Sequence, residues 1–332
     1  MTSATFATLI LIPVLVFALW HLTANSIPSV PSFLRNKRII LLIAHPDDES
    51  MFFNPTLQAL TAPQLQNHLK ILCMSTGNSE GLGSTRRLEL EKAAVALGLR
   101  RREDVFVLDD ARFKDGMNEE WKPEEIARVL ASAFAPHLNV PPPLAPQAGE
   151  KDKDKDRRKS KSNKHAKSPS TTPATPSSAQ REGPRATIDV LITFDEHGIS
   201  KHPNHKALYY GASLFVKQIM CGHSGYACPV ALYTLPSINI VRKYSFILDS
   251  IPTLLNGIYG SIVGNAMGTR GTGKKESADR LVFVNDISRY RKAREAMVNG
   301  HKSQMVWFRW GWISLGRYMV VNDLRSEKII AT

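Results

Sequence analysis

Ala44-His45-Pro46-Asp47-Asp48-Glu49 follows Arg38-Ile39-Ile40-Leu41-Leu42-Ile43 without a break. The apolar run reads as a buried strand. The six residues after it place one imidazole and three carboxylates on a tight turn. Folding alone gives no reason to crowd that much negative charge at a strand end. A divalent metal does, because it neutralises the carboxylates and orders the loop. A second such place lies far downstream. Ile188-Asp189-Val190-Leu191-Ile192-Thr193-Phe194 again reads as a short apolar strand, and it empties into Asp195-Glu196-His197-Gly198-Ile199-Ser200-Lys201-His202-Pro203-Asn204-His205. Two strand ends, each delivering metal-type ligands, point to one shared site.

Outward from these two stretches, strands and helices alternate. A helix is expected at about 50–61, then a strand at Leu69–Ser75 and a glycine-rich loop at Thr76–Gly83. A helix at 84–98 follows, with Leu88, Ala94, Val95 and Leu97 turned inward. Val105–Leu108 reads as a third strand and 123–134 as a helix opened by Pro123. Beyond the second acidic-histidine loop come a helix at 204–219, strands at Val230–Leu235 and Leu281–Asn285, and a helix near 289–301. Such alternation predicts an α/β chain: a Rossmann-like three-layer sandwich with a mostly parallel sheet and helices on both faces. Ligands in such folds gather at the carboxyl ends of strands, where both half-sites lie.

The ends and one interior stretch depart from this pattern. Ala4 to Trp20 is apolar apart from two threonines, about the lower limit for spanning a bilayer. No Lys or Arg precedes it, as a cleaved signal peptide would want; Arg35, Lys37 and Arg38 follow it. A retained membrane anchor at 1–24 is therefore expected, with the catalytic body, 25–332, on the cytoplasmic side. Residues 141–185 hold a proline run, an alternating Lys-Asp tract and a Ser/Thr/Pro stretch. They carry too little apolar surface to offset their ordering entropy, and are expected to form a disordered surface insertion. Tyr244 to Asn265 is hydrophobic but interrupted, and reads as core or as a membrane-surface helix pair. Gln304 to Met319 carries Trp307, Phe308, Trp310, Trp312 and Tyr318 with Arg309 and Arg317. It suits either a headgroup-level surface or a terminal segment packed over the sheet.

The 332 residues, 43% of them hydrophobic, suffice for one sizeable core. The net charge is +13, and 151–167 alone contributes nine Lys/Arg against three Asp. That run has no interleaved aromatics and no nucleic-acid motif, which argues against a nucleic-acid partner and for an acidic membrane surface. No protein partner can be read from the chain. Three cysteines, Cys73, Cys221 and Cys228, form no disulfide framework and suit a reducing compartment.

The chemistry can be assembled from the two loops. A catalytic zinc commonly has three protein ligands and one open position. His45 and Asp48 are three apart on one turn, and His205 supplies the third ligand from the distant strand end. Asp47 remains beside the metal and can accept a proton from water, or it can cap a helix. His202 can hydrogen-bond a developing oxyanion or protonate a leaving amine. Glu49 can pair with a cation or hold a ligand histidine from behind, and Asp195 can orient a histidine or cap a turn. The assembly is that of a metal-assisted amide hydrolase. A two-histidine, one-carboxylate set also suits ferrous iron or another divalent ion.

These motifs resemble the de-N-acetylase superfamily that acts on N-acetylglucosamine conjugates. Ala-His-Pro-Asp-Asp-Glu after a first strand is paired with Phe194-Asp195-x-x-Gly198-Ile199-Ser200-x-His202-x-Asn204-His205. Thr76-Gly77-Asn78 through Gly83, with Arg86 and Glu89-Leu90, resembles a further block of the family. His301-Lys302-Ser303-Gln304, Trp307-Phe308-Arg309 and Ser314-x-x-Arg317-Tyr318-Met319 are similar to the eukaryotic membrane-bound members, which act in the glycosylphosphatidylinositol (GPI) anchor pathway. The resemblance covers roughly 38–135 and 186–325. It implies the LmbE-like variant of the fold and Zn2+ held by His45, Asp48 and His205. It also implies Asp47 as general base, His202 as transition-state stabiliser and Arg86 as a substrate contact. The implied substrate is the membrane glycolipid N-acetylglucosaminyl-phosphatidylinositol, at the cytoplasmic face of the endoplasmic reticulum. Lys201 stands where many members carry a small residue, and His197 is larger than this loop commonly carries. Two other readings compete: a deacetylase for a soluble sugar conjugate, and a catalytically silent membrane-tethered subunit. The anchor and the aromatic block oppose the first, and the intact set of ligands and base opposes the second.

Overall fold

The computed structural model describes residues 3–26, 30–139, 183–249, 251 and 279–329. Its centre is a seven-stranded sheet in the order β3-β2-β1-β4-β5-β7-β6. The strands are β1 (Arg38–Ile43), β2 (His68–Cys73), β3 (Val105–Val107), β4 (Val190–Phe194), β5 (Ala231–Leu235), β6 (Arg280–Val284) and β7 (Val321–Glu327). β1 to β5 are mutually parallel, with Ile39 opposite Leu69 on one side and Val190 on the other. β7 runs antiparallel to both β5 and β6. Every residue of β1 after Arg38, and every residue of β4, is buried. Burial at successive positions means that both faces of the sheet are covered, as parallel sheets require. This is the mostly parallel α/β sandwich expected from the alternating pattern.

The long helices after β1 are α4 (Gly83–Ala96), α5 (Pro123–Phe134) and α7 (Pro203–Met220), with shorter α2 (Asp48–Met51), α3 (Asn54–Leu60), α6 (Gly198–Lys201), α8 (Ile240–Lys243), α9 (Ile287–Glu295) and α10 (Trp307–Leu315). α5 packs along α7, which lies on β4, while α4 packs against β3 and α9. The single helix expected at 50–61 is two. Pro55 has no N–H to donate and sits in the first turn of α3, so the chain breaks after α2 and restarts. α4 is also rotated from its expected setting. Leu90, Ala93, Ala94 and Leu97 face the core, whereas Leu88 is 62% exposed and Val95 is exposed too.

An N-terminal helix, α1 (Ser3–Ser26), covers the apolar start of the chain and contains Pro13. The expectation that it spans a membrane is not supported. Among the described residues no helix is long and apolar enough to cross a bilayer. The apolar run to Trp20 would rise only about 25 Å as helix, against about 30 Å of hydrocarbon. Its far end is also engaged with the body: Trp20 is buried, and its indole N–H donates to the Asn285 carbonyl at 2.7 Å. Most of the insertion expected at 141–185, and 252–265 of the interrupted apolar segment, lie outside the described residues.

Candidate active site

β1 and β4 are neighbours in the sheet, so their carboxyl ends deliver the two predicted half-sites side by side. β1 opens into His45 to Glu49. Asp47 has φ +126°, a conformation that costs a non-glycine residue roughly 1–3 kcal/mol and persists only where neighbours enforce it. The enforcing contacts are at hand. Asp48 Oδ2 accepts the N–H groups of Ala44 and His45 at 3.0 and 2.9 Å. Glu49 Oε2 accepts the Asp47 N–H at 3.2 Å. Arg86 donates to the Pro46 carbonyl at 2.9 Å and to the Gly77 carbonyl at 2.7 Å. That approach depends on glycine, since a Cβ on Gly77 would lie 2.3 Å from Arg86 Nη1. Asp47 occupies the N-cap position of α2 but makes no side-chain capping bond. Its carboxylate instead lines the cleft, 2.9 Å from Arg309 Nη2 and 3.8 Å from Arg86 Nη2.

β4 opens into a turn with consecutive positive φ at Gly198, Ile199, Ser200 and Lys201. The left-handed setting of Lys201 gives a physical reason for small residues at that place. Asp195 accepts from the His197 and Gly198 N–H groups and from both N–H and Oγ–H of Ser237. It therefore caps this turn and does not orient a histidine directly. The turn then presents the carbonyl of Gly198, which accepts from His205 Nδ1 at 3.2 Å. His205 is further fixed by stacking on Phe194, with centroids 3.9 Å apart and planes 4° from parallel.

These contacts set the tautomers. With Nδ1–H of His205 donating to Gly198, the lone pair is on Nε2, which is buried and has no hydrogen-bond partner. His45 Nε2 lies 3.1 Å from both Asn204 Oδ1 and Asp115 Oδ1, which leaves Nδ1 as its lone-pair nitrogen. One ligand atom from each of His45, Asp48 and His205 falls within 4.8 Å of the others. Two inward lone pairs, one buried carboxylate and an orphaned Nε2 fit a single divalent cation. A second set, His45, Asp115 and His202, meets the same spacing and shares one imidazole with the first.

Burial lowers the pKa of His45 despite Asp48 and Asp115 beside it, so the ring is neutral and able to ligate. Burial alone would raise Asp48, but its contacts with the His205 and His45 imidazoles and with the His45 backbone N–H outweigh it and hold that carboxyl well below its usual range. His202 is lowered to about 4, by burial first and then by His205 and His45. Its Nδ1 accepts from the Asn204 N–H at 3.3 Å, which places the proton of the neutral ring on Nε2. A neutral His202 is thus a hydrogen-bond donor at neutral pH.

The sequence reading placed His45, Asp47, Asp48, Arg86, His202 and His205 in one site, and all line one cleft of about 390 Å³. Glu49 does not hold a ligand histidine. It pairs at 2.6 Å with fully buried His301, which came from the C-terminal block without an assigned role. Burial alone would lower the His301 pKa, but the Glu49 charge and hydrogen bond raise it overall. Sequence reasoning missed Asp115 and Arg309 as cleft residues. Asp115 follows β3, so the carboxyl-end rule that found the other two loops applies to it as well. Arg309 carries no such signal, because it arrives from α10, far along the chain.

The chain is similar to known proteins over most of its length. Residues 40–216 match the family model described as PIG-L: GlcNAc-PI de-N-acetylase. An N-acetylglucosaminyl-phosphatidylinositol de-N-acetylase of Arthroderma benhamiae is 42% identical, over 99% of this chain and 100% of its own. A probable enzyme of the same name from Schizosaccharomyces pombe is 34% identical, over 91% of this chain and 92% of its own. Among solved structures, N,N'-diacetylchitobiose deacetylase from Pyrococcus horikoshii aligns over 92% of this chain and 91% of its own, with a TM-score of 0.47 at 12% identity. The matched span takes in β1, both ligand loops and most of α7, and the fungal relatives extend the likeness through the C-terminal strands: the chain belongs to PIG-L, the family of GlcNAc-PI de-N-acetylases.

Proposed function

We propose that this deacetylase removes the N-acetyl group of N-acetylglucosaminyl-phosphatidylinositol. The products are acetate and glucosaminyl-phosphatidylinositol, and the reaction is the second step of GPI-anchor biosynthesis. The supporting observation is the convergence of His45, Asp48 and His205 with Asp47 and His202 in one cleft. Zinc is the ion that best suits this donor set, held by those two imidazoles and the Asp48 carboxylate. It supplies Lewis acidity toward the amide carbonyl and toward water.

The residues of the chain do the rest. Asp47 takes one proton from the attacking water as its oxygen bonds to the acetyl carbon. Arg86 and Arg309 hold that carboxylate in place from two sides, and the left-handed backbone at Asp47 keeps it turned into the cleft. His202 donates its Nε2–H to the oxygen on which charge develops. When the carbon–nitrogen bond breaks, the amine leaves with a proton returned from Asp47, and acetate remains. Arg86 also contacts the substrate, beside its role in tying the two loops together. Glu49 acts through the backbone of Asp47, and Asp195 through the turn that aims His205. The family assignment supports a place at the cytoplasmic face of the endoplasmic reticulum membrane.

Acetate release from the lipid-linked sugar by the purified, metal-analysed protein tests the reading. Turnover with one zinc per chain is expected. Preference for a soluble N-acetylglucosamine conjugate over the glycolipid would overturn the substrate, and turnover by metal-stripped protein would overturn the mechanism.

A further inference from the structure

Two apolar segments, far apart in sequence, flank the mouth of the cleft, and a third packs on the same body. α10 buries Trp312 and Ile313 but leaves Trp307 85% exposed, with Phe308, Trp310 and Leu315 exposed as well. A helix that is apolar on both its inner and its outer sides is not an ordinary surface helix. α8 exposes Ile240 and Val241, the latter at 77%. The two are joined by Tyr244, whose ring meets Trp312 edge-on at 5.9 Å. α1 is joined to the same body, since Trp20 packs on Phe246 at 5.1 Å and on Tyr290 at 5.3 Å. The Tyr290 hydroxyl in turn donates to the Ile313 carbonyl of α10 at 2.8 Å. Beyond Trp20's neighbourhood, α1 exposes Leu15, Phe17 and Leu22.

Scattered exposed leucines need no explanation, but a linked set carrying two exposed tryptophans does. We infer that α1, α8 and α10 form one lipid-bilayer contact surface that holds the mouth of the cleft at the headgroup level. Three features favour a bilayer over other occupants. Trp307 and Trp310 share this surface with Tyr244, and Trp with Tyr is the pairing that headgroup boundaries favour. Arg35 and Arg289 line a second cleft with Ala24, at the end of α1, where anionic headgroups would meet cations. Tyr244, Phe308 and Trp312 belong both to this set and to the wall of the active-site cleft. A sugar headgroup seated at His45 and His205 would therefore let its acyl chains leave over an apolar rim. This last point names where the lipid part of the substrate sits, and rests on the function proposed above.

The full-length protein is mixed with phosphatidylcholine vesicles containing phosphatidylinositol, with ordinary or brominated acyl chains, and tryptophan fluorescence is read. Quenching by brominated lipid is expected, and Trp307→Phe with Trp310→Phe should remove much of it. In a second variant, Trp307→Ser with Trp310→Ser, turnover of vesicle-borne glycolipid should fall about tenfold or more, as loss of two inserted rings implies. Hydrolysis of water-soluble N-acetylglucosaminyl-inositol phosphate should stay within about twofold, because no reacting group has moved. Quenching unchanged by the Phe variant would overturn the proposal and leave α10 covered by residues 252–278 or by a second copy of the chain. Equal loss on both substrates would overturn it too, by showing a structural role. Undiminished quenching with neither substrate turned over by the unaltered protein would instead remove the substrate reading and leave the surface standing.

Discussion

The molecule buries two clusters of charge, and they are built on opposite plans. Near the C-terminus, Arg242, Asp249, Arg317, Asp323 and Arg280 alternate in one chain of ion pairs. Asp249 takes Arg242 on both oxygens and Arg317 on one of them, and Asp323 takes Arg317 on one oxygen and Arg280 on the other. Every carboxylate oxygen there has a guanidinium. In the cleft, His205 Nε2 is orphaned and Asp47 Oδ2 lies near two guanidiniums without a hydrogen bond. Charge answered by charge fixes the positions of β6, β7 and the segment around Asp249, and is architecture. Charge left with open valences is what a cation and a substrate can complete.

The largest effect expected from breaking this contrast is on the open cluster. His205→Ala should abolish metal binding, read as zinc per chain after dialysis, and turnover with it. Unchanged zinc stoichiometry would move the third ligand to His202 and the set that shares Asp115. Asp47→Asn should keep its zinc and its melting temperature while losing about 10²–10⁴ of the rate, the usual contribution of a general base. Loss of metal with rate restored by excess zinc would reassign Asp47 as a ligand.

The closed cluster should answer in stability alone. Arg317→Ala strips a partner from two buried carboxylates and should cost about 3–5 kcal/mol in urea unfolding, with kcat per folded molecule unchanged. A drop in kcat with stability intact would erase the distinction between the clusters. The smallest effect is in acid. Burial alone would raise the Asp323 carboxyl, but Arg317 and Arg280 hold it below its usual value. Its contribution to stability is therefore complete above the unfolded pKa of about 3.9 and is lost as pH falls toward the folded value. Melting temperatures from pH 6 down to 3 should show this decline, and Asp323→Asn should flatten its part of it.

The open cluster was largely legible in the sequence because its ligands sit on two short motifs behind apolar strands. What each motif shows locally, the parallel register of β1 and β4 brings together. The closed cluster was not legible, since Asp249, Arg317 and Asp323 stand in unrelated stretches with no shared spacing. β7 escaped for a related reason. Val321-Asn322-Asp323-Leu324-Arg325-Ser326-Glu327 is too polar to read as a strand within a sheet, yet Asn322 and Asp323 are buried because Phe52, Thr56, Arg280 and Arg317 meet their polar atoms. The break between α2 and α3 was readable from Pro55. For Glu49 and Asp195 the sequence offers two roles each, and the structure selects one: Glu49 pairs with His301 and does not back a ligand histidine, and Asp195 caps its turn.

β7 lies between β5 and β6, although it follows both in the chain. During synthesis the first five strands can assemble early, but β6 has no place until the residues after Met319 have left the ribosome. A stop codon anywhere upstream of Glu327 would therefore sever an inner strand, and losing a few late residues should be as harmful as losing a segment from the middle of the core.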